Sequence, residues 1–203
     1  MEDKKIPIIT ISREFCAGGS SVAKGISEKL NIPWYDRDFV ALTARLSGYS
    51  EEDIIKDGEN LSYGMKFLNS IANNITAYTS SHDKIFEAQK EAIAELSKQP
   101  CIIVGRCSNV VLKEMGVDSF DIFLHADFDI RVERSKDVVK NTKKDLRKYV
   151  EKADEMREKH YYEYTHKKMT LARDYDLCLD TGKIDYDTCV EAACVLIKKR
   201  FEL

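Results

Sequence analysis

Five short apolar runs constrain this chain most. Ile6–Ile11, Trp34–Asp36, Cys101–Val104, Phe120–Leu124 and Leu177–Leu179 are each short and apolar, and each leads into a polar turn. Runs of this length, rich in β-branched residues, are what strands buried on both faces look like. Between them the apolar residues fall at helical spacing, as Val22, Ile26 and Leu30 do, and as Tyr186, Val190, Ala193, Ile197 and Phe201 do at the C-terminal end. Strands alternating with helices predict an α/β fold, a parallel sheet with helices on both faces.

The long interval between the second and third runs carries no strand signal. Phe39–Leu46 reads as helix and stops at Gly48, and Ser50 caps a further helix with Glu51, Glu52 and Asp53 in its first turn. Met65, Leu68, Ala72 and Ile75 line one helical face, and Ile85, Ala92, Ile93 and Leu96 line another. Residues 129–168 form a long charged helical stretch with a break expected near Asn141–Thr142. No repeat or linker divides the 203 residues, which have only three prolines and nine glycines, so one domain over 1–203 is expected.

Hydrophobic residues at 43% and charged residues at 33% suit a globular protein rather than a disordered one. A net charge of −3 argues against binding to nucleic-acid polymers or membranes. The six cysteines form no CxxC pair and no metal-ligand spacing, so they read as reduced, mostly buried thiols. Met1–Lys5 lacks the apolar stretch of a secretory leader, and a cytoplasmic location is the expectation.

The turn after the first run carries the chemistry. Ser12-Arg-Glu-Phe-Cys-Ala-Gly18-Gly19-Ser20-Ser21 joins a strand to a helix, the arrangement that offers backbone N–H groups and a helix N-terminus to an anion. The GxxxxGK[ST] spacing of a phosphate loop is not met: Arg13 stands in place of the first glycine and Gly19 in place of the lysine. Gly18 and the hydroxyl of Ser20 or Ser21 fit. Arg13 restores the missing charge if its side chain turns inward. The plainer alternative is a strand-to-helix turn with a Ser-rich cap.

Ile9-Thr-Ile-Ser-Arg-Glu-Phe-x-x-Gly-Gly, with Ile32-Pro-Trp-Tyr-Asp36 beyond the next helix, resembles the opening of the cytidylate-kinase-like family, divergent P-loop relatives of the nucleoside monophosphate kinases. Val104-Gly-Arg106 with Asn109-Val-Val, Asp121-Ile-Phe-Leu-His-Ala with Arg131 and Arg134, Asp154-Glu-Met-Arg157, and Tyr175-Asp-Leu-Cys-Leu-Asp-Thr181 continue the likeness over nearly the whole chain. The resemblance implies a three-layer P-loop kinase fold with strand order 2-3-1-4-5. It implies an acceptor-binding helical region over about 37–98 and a lid over about 129–168. It also implies transfer of the ATP γ-phosphoryl group, with Mg²⁺, to a nucleoside monophosphate or another small acceptor.

Mapped residue by residue, the resemblance makes Ser12, Gly18, Gly19, Ser20 and Ser21 phosphate-binding, and Asp36, Arg106 and Asp154 acceptor-binding. Arg13, Arg131, Arg134 and Arg157 become the catalytic cations, with Arg147 a further candidate. Cys107 replaces the aspartate that follows the Gly-Arg pair in cytidylate kinase, which puts cytosine specificity in question. No acid follows Val104 directly, since Gly105 holds that position, so no protein metal-ligand set is assigned. The charge pattern agrees with a lid: residues 129–159 hold eleven Lys or Arg against eight Asp or Glu, a surplus of three in an acidic chain. Most of those charges belong to a solvated helix face. Two other functions stay open, a non-catalytic nucleotide- or anion-binding protein and a homodimer contact through Met65, Phe67, Leu68 and Tyr78, because fold does not by itself carry function.

Overall fold

The computed structural model describes residues 6–36, 75–139 and 145–203. Strands β1 (Ile8–Arg13), β2 (Trp34–Tyr35), β3 (Cys101–Val104), β4 (Phe120–His125) and β5 (Leu177–Asp180) pair in parallel in the order β2-β3-β1-β4-β5. All five expected strands are present. β1 lies at the centre, its Ile9 level with Ile102 of β3 on one side and Phe120 of β4 on the other. The chain fills one side of β1 first and the other side afterwards. The connections leaving β1 and β3 therefore open a crevice at the carboxyl ends of the strands, where open α/β sheets bind their ligands.

Six α-helices are described: α1 (Gly19–Leu30), α2 (Ile75–Leu96), α3 (Ser108–Glu114), α4 (Phe128–Val138), α5 (Leu146–Thr165) and α6 (Tyr186–Phe201). The break expected near Asn141–Thr142 lies outside the described residues; α4 ends at Val138 and α5 begins at Leu146. The helical readings for 39–46, the segment from Ser50 and the Met65–Ala72 face lie outside the described residues, as does most of the expected homodimer surface.

The pleat alternation of β1 divides the core. Ile9 and Ile11 turn to the layer of Val22, Ile26, Val190 and Ile197, contributed by α1 and α6. Ile8 turns the other way, with Ile103 and Phe123, onto Phe86, Ile93, Val111 and Tyr161 of α2, α3 and α5. Ile9 and Ile11 are 0% exposed, and each contributes about 1.5–3 kcal/mol of burial. That packing holds rigid the strand from which the loop Glu14–Gly18 springs. No helix among the described residues is long and apolar enough to cross a membrane, and all six cysteines are free.

Candidate functional site: a phosphate loop and an arginine-lined cleft

The loop after β1 keeps a specific backbone path. Glu14 N–H donates to Leu124 O at 3.1 Å, extending the β1–β4 ladder by one residue, and Ala17 N–H donates to Glu14 O at 3.3 Å. Cys16 (φ 59°) and Gly18 (φ 84°) are left-handed on either side of Ala17, which is not. Such alternation turns successive N–H groups towards a common concavity that suits an anion. The N–H groups of Gly18, Gly19, Ser20 and Ser21 have no acceptor among the described residues, and Val22 N–H to Gly18 O, at 3.0 Å, is the first bond of α1. Four unclaimed donors thus meet the positive end of the helix dipole. Gly18 is required twice over: a side chain there is strained at φ 84°, and its Cβ would lie 2.2 Å from Cε1 of Tyr186.

Gly19 leaves its space to Arg13. A Cβ on Gly19 would lie 2.9 Å from Arg13 Cγ, and one on Gly105 would lie 2.1 Å from Arg13 Nη1. The arginine stem therefore crosses the start of α1 through the volume a lysine at position 19 would fill, and the guanidinium reaches the end of β3. Its Nη2 is 3.9 Å from Asp36 Oδ1, while Asp36 Oδ2 accepts from Ser20 Oγ at 2.8 Å.

Beside the loop, Gly105, Arg106 and Cys107 follow β3 with φ of 79°, 61° and 56°. Three consecutive left-handed residues, two with side chains, store strain of the kind found at ligand clamps. They border a cleft of about 50 Å³ also lined by Ser12, Arg13, Arg157 and Tyr161, and the residues lining it include three arginines and no carboxylate. Arg106 makes no hydrogen bond or ion pair among the described residues. Asp36 is bonded to Ser20 and paired with Arg13. Ser12 is buried and lines the cleft, so it belongs to the cleft wall rather than to the loop mouth.

The four arginines of the charged stretch do different things. Arg131 is 6% exposed and lies under the loop, with Nε 3.1 Å from Glu14 Oε2 and donating to Ala126 O at 2.9 Å, and Nη1 donating to Phe15 O at 3.3 Å and to Asp154 Oδ2. Asp154 Oδ1 accepts from Phe15 N–H at 2.7 Å. Arg131 and Asp154 are thus joined to each other and to the loop, and neither lines the cleft. Arg134 donates to Thr181 Oγ1 at 3.0 Å and to Thr181 O at 2.7 Å, and stacks 4.9 Å from the ring centre of Tyr186. Arg157 donates to Arg13 O at 3.3 Å, lies 5.2 Å over the ring of Phe15, and faces the cleft. Arg147 pairs with Asp129 at 2.6 Å on the exposed side.

Thr181 and Tyr186 were not among the sequence candidates. Thr181 is 1% exposed, and its hydroxyl is within hydrogen-bonding reach of Ala17 O at 3.0 Å and of His125 O at 3.2 Å, joining the loop to β4 and, through Arg134, to α4. The Thr after β5 was visible in the chain, but its partners are remote in sequence. Burial disfavours the thiolate form of both cysteines at the site. Burial pushes the Cys16 thiol up to about 11 against the pull of Arg157 and Arg131, and pushes Cys107 up to about 12 against Arg106.

The chain has known structural relatives. An uncharacterised protein from Eubacterium ventriosum shares 26% identity and a TM-score of 0.67, with 95% of this chain and 98% of that one aligned. A gluconokinase from Sinorhizobium meliloti (14% identity, TM-score 0.58, 98% and 95% covered) has the same fold. So does a shikimate kinase from Acinetobacter baumannii solved with shikimate (12%, 0.54, 97% and 96%). Curated proteins give no match. A family profile matches residues 8–183, from the first residue of β1 to just past the Thr181 turn, and the chain belongs to the cytidylate kinase-like family.

Proposed function

We propose that this protein is an ATP-dependent phosphotransferase of the P-loop kind whose acceptor is a small anion, a nucleoside monophosphate first among the candidates. One observation carries the reading: the left-handed turns at Cys16 and Gly18 leave the N–H groups of Gly18, Gly19, Ser20 and Ser21 without acceptors among the described residues, and Arg13 crosses beside them. Family membership supports it.

In this mechanism the four N–H groups hold the β-phosphate of ATP, and Arg13 supplies the cation that a Walker lysine supplies elsewhere. Ser20 Oγ and Asp36 Oδ2, 2.8 Å apart, are the oxygens that would hold a Mg²⁺ beside the loop, and such an ion would neutralise charge on the transferred group. Arg106 and Arg157 hold the acceptor anion in a cleft without carboxylates. An acceptor oxygen forms its bond to Pγ as the bridging bond to ADP breaks. An acceptor phosphate oxygen is already anionic, so no general base is needed. Residues about 37–98 then form the acceptor region and about 129–168 the lid.

Thermal melting with ATP, with and without Mg²⁺, followed by an ADP-release assay over CMP, dCMP, UMP, AMP, GMP, shikimate and gluconate, tests the proposal. Stabilisation by ATP, turnover with one acceptor and loss of turnover in Arg13→Ala are expected. The rival, a nucleotide-binding protein without catalysis, draws on Gly19 standing where the lysine belongs. Stabilisation by ATP with no turnover on any acceptor would favour it.

A further inference from the structure

Arg106 makes no hydrogen bond among the described residues, through backbone or side chain, so its direction is set by the residues around it. The turn it stands in is strained, with Gly105, Arg106 and Cys107 all left-handed. Strain of this kind persists only where the surroundings over-determine it. On the sheet side the determinants are plain. Gly105 N–H donates to Ile11 O at 2.9 Å, and Ser108 N–H closes the turn on Gly105 O at 3.2 Å. The guanidinium of Arg13 lies against Gly105, where a Cβ would come within 2.1 Å of Nη1.

On the helix side, a single side-chain bond holds the turn. Asn109 stands in the first turn of α3, and its Nδ2 donates to the hydroxyl of Tyr161 on α5 at 3.0 Å. Both residues are buried, Asn109 at 2% and Tyr161 at 3% exposure. It is the one hydrogen bond of the Asn109 side chain among the described residues, since Oδ1 has no partner there. The layer around the pair is otherwise Ile103, Cys107, Val110 and Val111. Two apolar side chains of similar shape would serve stability there as well or better. What they would not supply is direction, because a hydrogen bond fixes distance and angle between two helices where apolar surfaces can slide.

The direction so fixed matters at the cleft. Tyr161 and Arg106 both line it, and so does Arg157, one turn earlier on the same face of α5. We propose that Tyr161 is a positioning residue for acceptor binding: through Asn109 it sets the Arg106 turn against α5, so that Arg106 and Arg157 converge on one anion. Tyr161 acts through Asn109 and need not touch the acceptor. The proposal rests on the phosphotransferase reading for the role of Arg106, and the experiment separates failure of the one from failure of the other.

Tyr161→Phe removes the hydroxyl, keeps the ring and leaves Asn109 without its partner. Tyr161→Phe/Asn109→Leu removes both polar ends together. Melting temperatures are read beside calorimetric titration with CMP, UMP, AMP, GMP, shikimate and gluconate, and separately with ATP and Mg²⁺. Tyr161→Phe should melt about 2–6 °C below wild type. It should bind the preferred acceptor about five- to tenfold more weakly, as a site that has lost its preorganisation does, with ATP affinity within about twofold. The double variant should regain most of the melting temperature but none of the acceptor affinity. A merely structural pair would regain both. In an Arg106→Lys background, Tyr161→Phe should change acceptor affinity less than about twofold, because the fork it aims is already gone. Unchanged acceptor affinity in Tyr161→Phe, affinity recovered with stability in the double variant, or full additivity with Arg106→Lys would each overturn the proposal and leave the phosphotransferase reading standing. Wild-type protein that binds ATP but none of the six acceptors would defeat the acceptor reading, and the proposal with it.

Discussion

Replacing Arg131 by Met should unsettle the fold before it touches the chemistry. The guanidinium is 6% exposed and lies between Glu14 and Asp154, with Ala126 O and Phe15 O as further acceptors. Met fills much of the volume but leaves two carboxylates together without their cation. Breaking a buried pair from one side costs about 3–5 kcal/mol. The Glu14 and Asp154 side chains are each 23% exposed and can recover some hydration, so the lower end, about 3 kcal/mol, is the expected loss. At about 2–4 °C per kcal/mol for a chain of this size, the melting temperature should fall by about 6–12 °C. Arg131→Lys keeps the charge but not the fork that reaches several acceptors at once, and should lose less than half as much. Calorimetric melting of the three proteins without nucleotide decides the matter. If Arg131→Met melts within about 2 °C of wild type while ATP turnover disappears, the strut argument is wrong and Arg131 acts on the phosphoryl group.

Three further outcomes follow from the geometry. Gly18→Ala should cost about 1–2 kcal/mol for its left-handed backbone, plus the clash with the Tyr186 ring; urea unfolding should show the excess vanishing in a Tyr186→Ala background, and equal costs in both backgrounds would refute the contact. Arg106→Lys should raise the acceptor KM about ten- to a hundredfold, the loss of a charge-assisted bidentate contact, with the melting temperature unchanged because the side chain has no described partner to lose; a lower melting temperature at constant KM would count against its acceptor role. Burial pushes the Asp121 carboxyl above its ordinary 3.8, against the hydroxyls of Thr10 and Ser119 that bond to it at 2.6 and 2.8 Å. The folded state therefore holds that proton more tightly than the unfolded state, and the ionised form lowers stability as pH rises through the folded value. Asp121→Asn, which can still accept both hydroxyl bonds, should be more stable than wild type at pH 7, with the advantage fading towards pH 3.8; a pH-independent difference in urea unfolding would refute this.

The strands were legible because a buried parallel strand must be short, apolar and β-branched, and each run stops where a polar turn begins. Their order was not: any of several arrangements buries Ile9 and Ile102 equally well, and the order came from the family likeness. At the site, the sequence pointed to Gly18 and Arg106. It did not reveal the left-handed Cys16, since cysteine carries no turn preference that would mark it. Gly19 read as a missing lysine, whereas in three dimensions it is room for the stem of Arg13, six residues earlier. Arg131 and Asp154 read as lid charges, yet they meet across 23 positions and reach a loop 139 positions away from Asp154.

The bond from Phe15 N–H to Asp154 makes one amide proton a gauge of how firmly α5 holds the loop. Asp154 and Arg157 both lie on α5, and they fasten the loop at Phe15 N–H and at Arg13 O. A swing of α5 away from the sheet must release the Phe15 amide to solvent, while Glu14, bonded to Leu124 O in the sheet ladder, stays protected. In a hydrogen-exchange experiment, neighbouring amides would then report different free energies: Phe15 the local release of α5, and Glu14 the unfolding of the sheet.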